Sequence, residues 1–471
     1  MREKKLLINS VLYFFGSLGK GVASIVVVFM ASFYISPSDM GVYDLIISTI
    51  TLLQPVIIFQ INDGIYRWIL EKPDEKDDII KCGFKIAYRN ILIVDIIIIG
   101  ISLLVDFSLQ YKLLIAILLN LNCLYPLFQQ ITRGLKNHKV FAVSGIINGT
   151  LVMGLSYILM RFFNQGVKGF YIAQIIANIG GIAYLSYSQR ISFSAWNGNS
   201  NRIKEFSSAM QRYSIMLVPN SVNQWVMKTL DKYCILFFMT TFENGIYTVA
   251  HRFPDILIML NNMFYSAWVE QSIVEYKSED RDEYFSKIYG IYSNVIISVV
   301  LVAIPITKYF IKYFTGVEYY EAYQYVPFLY IAVIFLGLSS FIGTGYLGTK
   351  HTEGIMWTSI MGSLVNTIIN VVFMKTFGLQ VAGVSSLCAY LTMWCIRVKQ
   401  TKKFFSIKIK WTIFVPLIIL AIIYAIGVQL NKMWLDFVFE LLAIILAIYL
   451  NREIIESVYK AILKKCAKIK Y

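Results

Sequence analysis

Charge is what this sequence has least of. Only 15% of its 471 residues are Asp, Glu, Lys or Arg, whereas 57% are hydrophobic. A soluble domain carries roughly a quarter charged residues to cover its surface, so a water-soluble globular chain is excluded. No stretch is both long and polar enough to form a separate soluble domain. The six cysteines (Cys82, Cys123, Cys234, Cys388, Cys395 and Cys466) are scattered, with no Cys-x-x-Cys and no histidine at ligand spacing. That argues against a disulfide framework or a zinc site. Glycine-rich phosphate loops and nucleotide-binding motifs are absent, and no catalytic constellation appears.

What is present is apolar length. Hydrophobic blocks of about 18 residues or more recur, the length that spans roughly 30 Å of hydrocarbon. The spacing predicts an all-α polytopic membrane protein with about 14 transmembrane helices. The first six lie near 7–32, 40–66, 87–106, 112–131, 139–160 and 169–188. Six more lie near 210–239, 245–269, 286–307, 325–347, 354–374 and 380–397, and a last pair near 411–428 and 434–451. The N-terminal apolar run is too long for a secretory signal and reads as the first span.

Basic residues set the orientation. With the N-terminus in the cytosol, 32 of 43 Lys and Arg fall on the cytosolic side and seven on the other. The remaining four, Lys20, Lys228, Lys232 and Arg252, fall within spans. This asymmetry predicts a plasma-membrane protein with both termini cytosolic. It also accounts for the net charge of +15 without a nucleic-acid partner. The loops on the opposite side are too short to hold a glycosyltransferase or polymerase site.

The chain repeats itself. Gly41 and Tyr43 match Gly245 and Tyr247 at an offset of 204; at 214, Gly134, Lys136, Met160, Phe163, Val167 and Gly169 match Gly348, Lys350, Met374, Phe377, Val381 and Gly383. The unit is six helices, so the copies cross the membrane the same way round, as two lobes related by a pseudo-two-fold axis along the membrane normal. The expected organisation is an N-lobe at 1–190, a cytosolic linker at 191–209, a C-lobe at 210–400, and accessory helices at 401–451. A basic amphipathic tail at 452–471 suits an anionic inner leaflet.

Ionisable side chains at membrane depth cost roughly 2.5–3.5 kcal/mol each and so tend to line an interior or cavity. Tyr13, Ser17, Lys20 and Ser24 form one stripe on the first span. Thr49, Gln60, Asp63 and Arg67 share a face of the second, with Asp44 on another stripe and Pro55 placed to kink the helix between them. Asn220, Gln224, Lys228 and Asp231 follow one face of the seventh span, beside Pro219. Arg252, Asp255 and Asn262 follow the eighth. Asp63 with Arg67, and Asp231 with Lys228 or Lys232, are close enough to neutralise each other instead. Asp95 stands alone in the third span, open to reading as a packing partner or a proton site. Lys20, Arg67, Lys228 and Arg252 would together make a basic, hydrated interior suited to diphosphate oxygens. The carboxylates, amides and hydroxyls beside them suit sugar hydroxyls.

Several segments resemble the polysaccharide repeat-unit flippases (Wzx type) of the multidrug/oligosaccharidyl-lipid/polysaccharide exporter superfamily. They are Ser36-Pro37-Ser-Asp-Met-Gly41-Val-Tyr43-Asp44, Gln54-Pro55, Asp63-Gly-Ile-Tyr-Arg67, Pro219-Asn220, Asp231-Lys232-Tyr233, Gly245-Ile-Tyr247, Arg252-Phe-Pro254 and Ala267-Trp268. The resemblance implies two six-helix, MATE-like lobes plus an accessory pair. It implies an undecaprenyl-diphosphate oligosaccharide as cargo, moved by alternating access for capsular, exo- or other surface polysaccharide. Membrane lipid, and beyond it a polymerase and chain-length machinery, are the implied partners. No cofactor or metal is expected; a Na+ or H+ gradient, or consumption of the product outside, is open as the energy source. A drug–cation antiporter of the same superfamily would favour acidic cavity residues, and a membrane-embedded polymerase would need a catalytic loop. A flippase for the peptidoglycan precursor is a further alternative.

Overall fold

The computed structural model describes residues 25–102, 108–190, 200–276, 278–348, 353–453 and 455–456. Lys20 and the rest of the first-span stripe lie outside the described residues, as does most of the basic tail. Among the described residues the chain is all helical, without strands.

From Pro37 onward the α-helices among the described residues are, in order, α1 Pro37–Ile57, α2 Ile61–Glu71, α3 Lys76–Ser102, α4 Leu109–Gly134 and α5 His138–Arg161. Next come α6 Gly166–Gln189, α7 Ser200–Ile215, α8 Val218–Phe238, α9 Thr241–Glu275 and α10 Arg281–Phe314. The last are α11 Val326–Gly348, α12 Glu353–Phe377, α13 Gln380–Thr401, α14 Trp411–Gly427 and α15 Met433–Leu450. Ten of them (α1, α4 to α6 and α10 to α15) are long and apolar enough to cross a membrane. Helices α3, α8 and α9 match these in length, at 27, 21 and 35 residues, but carry more charge. Their ionisable residues include Asp95, Lys228, Asp231, Lys232, Arg252 and Asp255. Large apolar side chains such as Leu92, Ile96, Val372, Phe437 and Ile448 are exposed, as lipid-facing helices require.

Two predicted spans are each interrupted. The second breaks between α1 and α2, a few residues after Pro55. The helix runs on to Ile57, and Phe59 and Gln60 then take left-handed conformations at φ 49° and 52°. The seventh breaks at Met216 and Leu217, with Pro219 in the first turn of α8. Its upstream part and much of the expected linker form a helix of their own, α7.

The described chain divides into two compact units at Thr248 and Val249. In the unit ending at Thr248, α5 packs on α6, α6 on α4, and α2 against α3, α4 and α7. Tyr43 stacks on Phe170 at 4.3 Å, and Asn148 donates to Asn178 at 3.0 Å inside this core. In the unit beginning at Val249, α11 is the central helix, flanked by α10, α13 and α14. Trp268 stacks on Phe341 at 4.2 Å, and Phe264 on Tyr292 at 4.3 Å. Arg397 is buried there, with Nε on Thr358 Oγ1 at 2.9 Å and Nη1 on the Ser339 carbonyl at 3.0 Å. The Lys308 ammonium on α10 meets Asp436 of α15 at 2.6 Å, both buried.

Candidate functional site

The break after α1 re-aims the chain so that α2 presents Asp63, Tyr66, Arg67, Leu70 and Glu71 along one side. Helix α7 approaches closely at Gly64, where a Cβ would overlap the Ser214 hydroxyl. This proximity brings Tyr213 and Leu217 opposite Arg67. The seven residues line a cleft of about 480 Å³.

Arg67 is the cation of the cleft. Its guanidinium lies 4.5 Å from the Tyr213 ring and 5.6 Å from Trp68, and its Nε meets Glu71 at 2.7 Å. The pair is half exposed, at 47% and 51%. The Glu71 hydrogen bond raises the Arg67 pKa further above its already high ordinary value, so the charge stays on. Asp63 is fixed by two amides: Gln60 Nε2 donates to one oxygen at 2.9 Å and Gln130 Nε2 to the other at 3.0 Å. Gln130 in turn accepts from Arg133 at 3.1 Å, and Arg133 lies 5.1 Å from the Tyr66 ring. The result is an open pocket with a fixed guanidinium, aromatic faces and an oriented carboxylate. Such a set suits an anionic group joined to hydroxyl-rich rings.

A second polar cluster joins α1 to α8. Asp44 is buried and meets Lys232 at 2.6 Å. Ser48 Oγ lies 3.5 Å from the same ammonium, Trp225 donates to the Ser48 carbonyl at 2.8 Å, and Thr49 and Tyr233 share a hydrogen bond at 2.6 Å. Asp231, also buried, accepts from Tyr247 at 3.0 Å. Lys232 therefore pairs with Asp44 across two helices, not with its neighbour Asp231, because successive helical residues point about 100° apart.

The other expected positions fall elsewhere. Asn220, Gln224 and Lys228 form one exposed stripe on α8. In the unit beginning at Val249, Asp255 is bracketed by Arg252 at 3.4 Å and His251 at 3.2 Å, and Asn262 is exposed. The structure thus groups Asp63 and Arg67 in the cleft, with Gln60 bonded to Asp63, and Asp44 with Asp231 at the α1–α8 contact. A reading of polar stripes along single spans did not single out Tyr66, Glu71, Tyr213, Gln130 and Arg133. Glu71 was legible as the i+4 neighbour of Arg67; Tyr213, distant in sequence, left no signal. No group of three His, Cys, Asp or Glu that could hold a metal occurs among the described residues.

The family of polysaccharide biosynthesis proteins matches residues 6–269, more than half of the chain. The chain is a member of that family. No curated protein sequence matches it. Among solved structures it is similar to the lipid II flippase MurJ in an inward closed conformation, with a TM-score of 0.67 at 14% identity. That match covers 94% of this chain and 100% of the flippase. An inward-facing multidrug-resistance MATE transporter of the MOP superfamily gives a TM-score of 0.63 at 13% identity, covering 85% of this chain and 98% of its own. A MOP-superfamily transporter from Pyrococcus furiosus, described by the reverse polarity of its binding pocket, gives 0.58 at 12% identity, covering 86% and 96%. This member of the polysaccharide biosynthesis family therefore has the MATE/MurJ-like fold and is a multi-pass membrane protein, and these structural neighbours are transporters.

Proposed function

We propose that the chain is a flippase that moves an undecaprenyl-diphosphate-linked oligosaccharide repeat unit from the cytosolic to the outer leaflet of a bacterial plasma membrane. The observation that carries this reading is the cleft in which Arg67 faces Tyr213 beside Tyr66 and Asp63. A guanidinium binds diphosphate oxygens in charge-assisted pairs, aromatic faces pack on sugar rings, and a carboxylate accepts from sugar hydroxyls. Membership of the polysaccharide biosynthesis family supports the same cargo class, destined for capsule, exopolysaccharide or another surface glycan.

On this reading the protein is a transporter and not an enzyme, with about 14 spans, two six-helix lobes, an accessory helix pair and both termini cytosolic. Arg67 is the cation that receives the cargo's diphosphate, and transport runs by alternating access. Glycan extension by a polymerase and chain-length machinery follows on the far side. A Na+ or H+ gradient is the candidate energy source. The test is to delete the gene and restore it as wild type or as Arg67→Ala, measuring lipid-linked repeat units by leaflet and surface glycan. Inner-leaflet accumulation with lost surface glycan, corrected by wild type but not by Arg67→Ala, is the expected result. Normal glycan without accumulation in the deletion strain would move drug export to the front.

A further inference from the structure

The contact of α1 with α8 and the first turn of α9 combines two features. First, it brings backbone against backbone beside a buried charge pair. A Cβ on Gly41 would overlap the Thr241 carbonyl oxygen, and one on Gly245 would overlap the Pro37 carbonyl oxygen. Asn244 donates to the Gly41 carbonyl at 2.9 Å. Gly41 and Gly245 are the residues that correspond in the two sequence repeats, so the copies meet at equivalent places. Second, the charge pair next to this crossing is Asp44 with Lys232, whose side chains are 3% and 14% exposed.

Parting this crossing also parts the charge pair beside it. Separating Asp44 from Lys232 leaves two desolvated charges, which is strongly unfavourable. The share borne by Lys232 disappears if another anion takes the place of Asp44 on the ammonium. Asp44 is then compensated by water admitted by the opening.

Resting on the proposed diphosphate cargo, we infer that Lys232 is a further substrate-binding residue and that Asp44 is its resident counter-ion. Arrival of the diphosphate exchanges one anion for the other and releases the Gly41–Gly245 crossing. The device makes opening conditional on cargo: neither an uncharged lipid nor an empty site supplies the replacement charge. A ligand shifts a conformational equilibrium only by its differential affinity for the two states, and Lys232 provides that difference here.

The test uses the full chain in nanodiscs with Ser48→Cys as reporter, since Ser48 is buried beside the pair. Cys82, fully buried in α3, is kept as a folding control, and the other five cysteines are replaced. Maleimide labelling at each site is read by peptide mass spectrometry, with undecaprenyl diphosphate as probe and undecaprenol as the uncharged control. Co-purification of the lipid is measured in the same discs. The diphosphate lipid speeds labelling at position 48, and undecaprenol does not. Asp44→Asn labels about tenfold faster without lipid, a shift well within the cost of breaking a buried pair. Lys232→Gln also labels fast and no longer responds to the diphosphate.

Asp44→Asn labelling at the reporter rate, or a full lipid response in Lys232→Gln, overturns the inference. Labelling of Cys82 in both variants assigns the pair to folding alone and overturns it too. Bound diphosphate lipid that leaves labelling unchanged overturns this inference while sparing the cargo reading; no bound lipid overturns both.

Discussion

The backbone N–H of Gln60 reaches back to the carbonyl of Pro55 at 3.0 Å, closing the wide turn that separates α1 from α2. The turn holds Phe59 and Gln60 in left-handed conformations, each costing on the order of 1–3 kcal/mol for a non-glycine residue. Buried Ile57, Ile58, Ile61 and Ile65 fix the chain on either side, so the strain persists. Gln60→Val, β-branched and unable to bond Asp63, destabilises the protein by about that amount. Gln60→Asn, whose side chain tolerates the left-handed region, is milder. Thermal unfolding in detergent gives the comparison.

The ion pair of Lys308 with Asp436 fastens α15 to α10 with both side chains almost fully withdrawn from solvent, at 6% and 0% exposure. Tyr309 adds a hydrogen bond to the same carboxylate at 3.2 Å. Lys308→Met alone leaves a buried carboxylate without its cation and costs about 3–5 kcal/mol. The double variant Lys308→Met with Asp436→Leu recovers most of that loss, because an apolar pair needs no desolvation. A Tm series of the two single variants, the double variant and the parent checks the cycle.

Burial pushes the Cys82 thiol up to about 11, only partly offset by the Ser207 hydrogen bond and the nearby Lys85 charge. Raising an acid's pKa keeps it neutral to higher pH, so the thiolate is scarce throughout the physiological range. Maleimide labelling of Cys82 in the folded protein therefore stays negligible at pH 8 and becomes rapid only on unfolding. Labelling at pH 8 with and without denaturant measures this directly.

Apolar length was the strongest signal in the sequence, and ten of the expected spans are long apolar helices in the structure. Helix breaks were harder to read. The break falls at Phe59 and Gln60, several residues after Pro55, so the proline did not locate it. The polar stripe on α8 was legible as far as Lys228, because exposure keeps the period of the helix. The partner of Lys232 was not, since Asp44 lies 188 residues away and only the packing of α1 on α8 brings it there. Tyr213 escaped for the same reason, and Gln130 and Arg133 because neutral and span-end residues carry no insertion penalty that marks them.

Transport itself is the claim to measure. The full chain is reconstituted into liposomes whose undecaprenyl-diphosphate oligosaccharide starts in one leaflet, and its appearance in the other is followed over time. Wild type moves the lipid well above the protein-free rate. Arg67→Ala falls by roughly tenfold or more, the scale of a lost charge-assisted bond, and Arg67→Lys recovers part of it. A wild-type rate equal to that of protein-free liposomes would contradict the account.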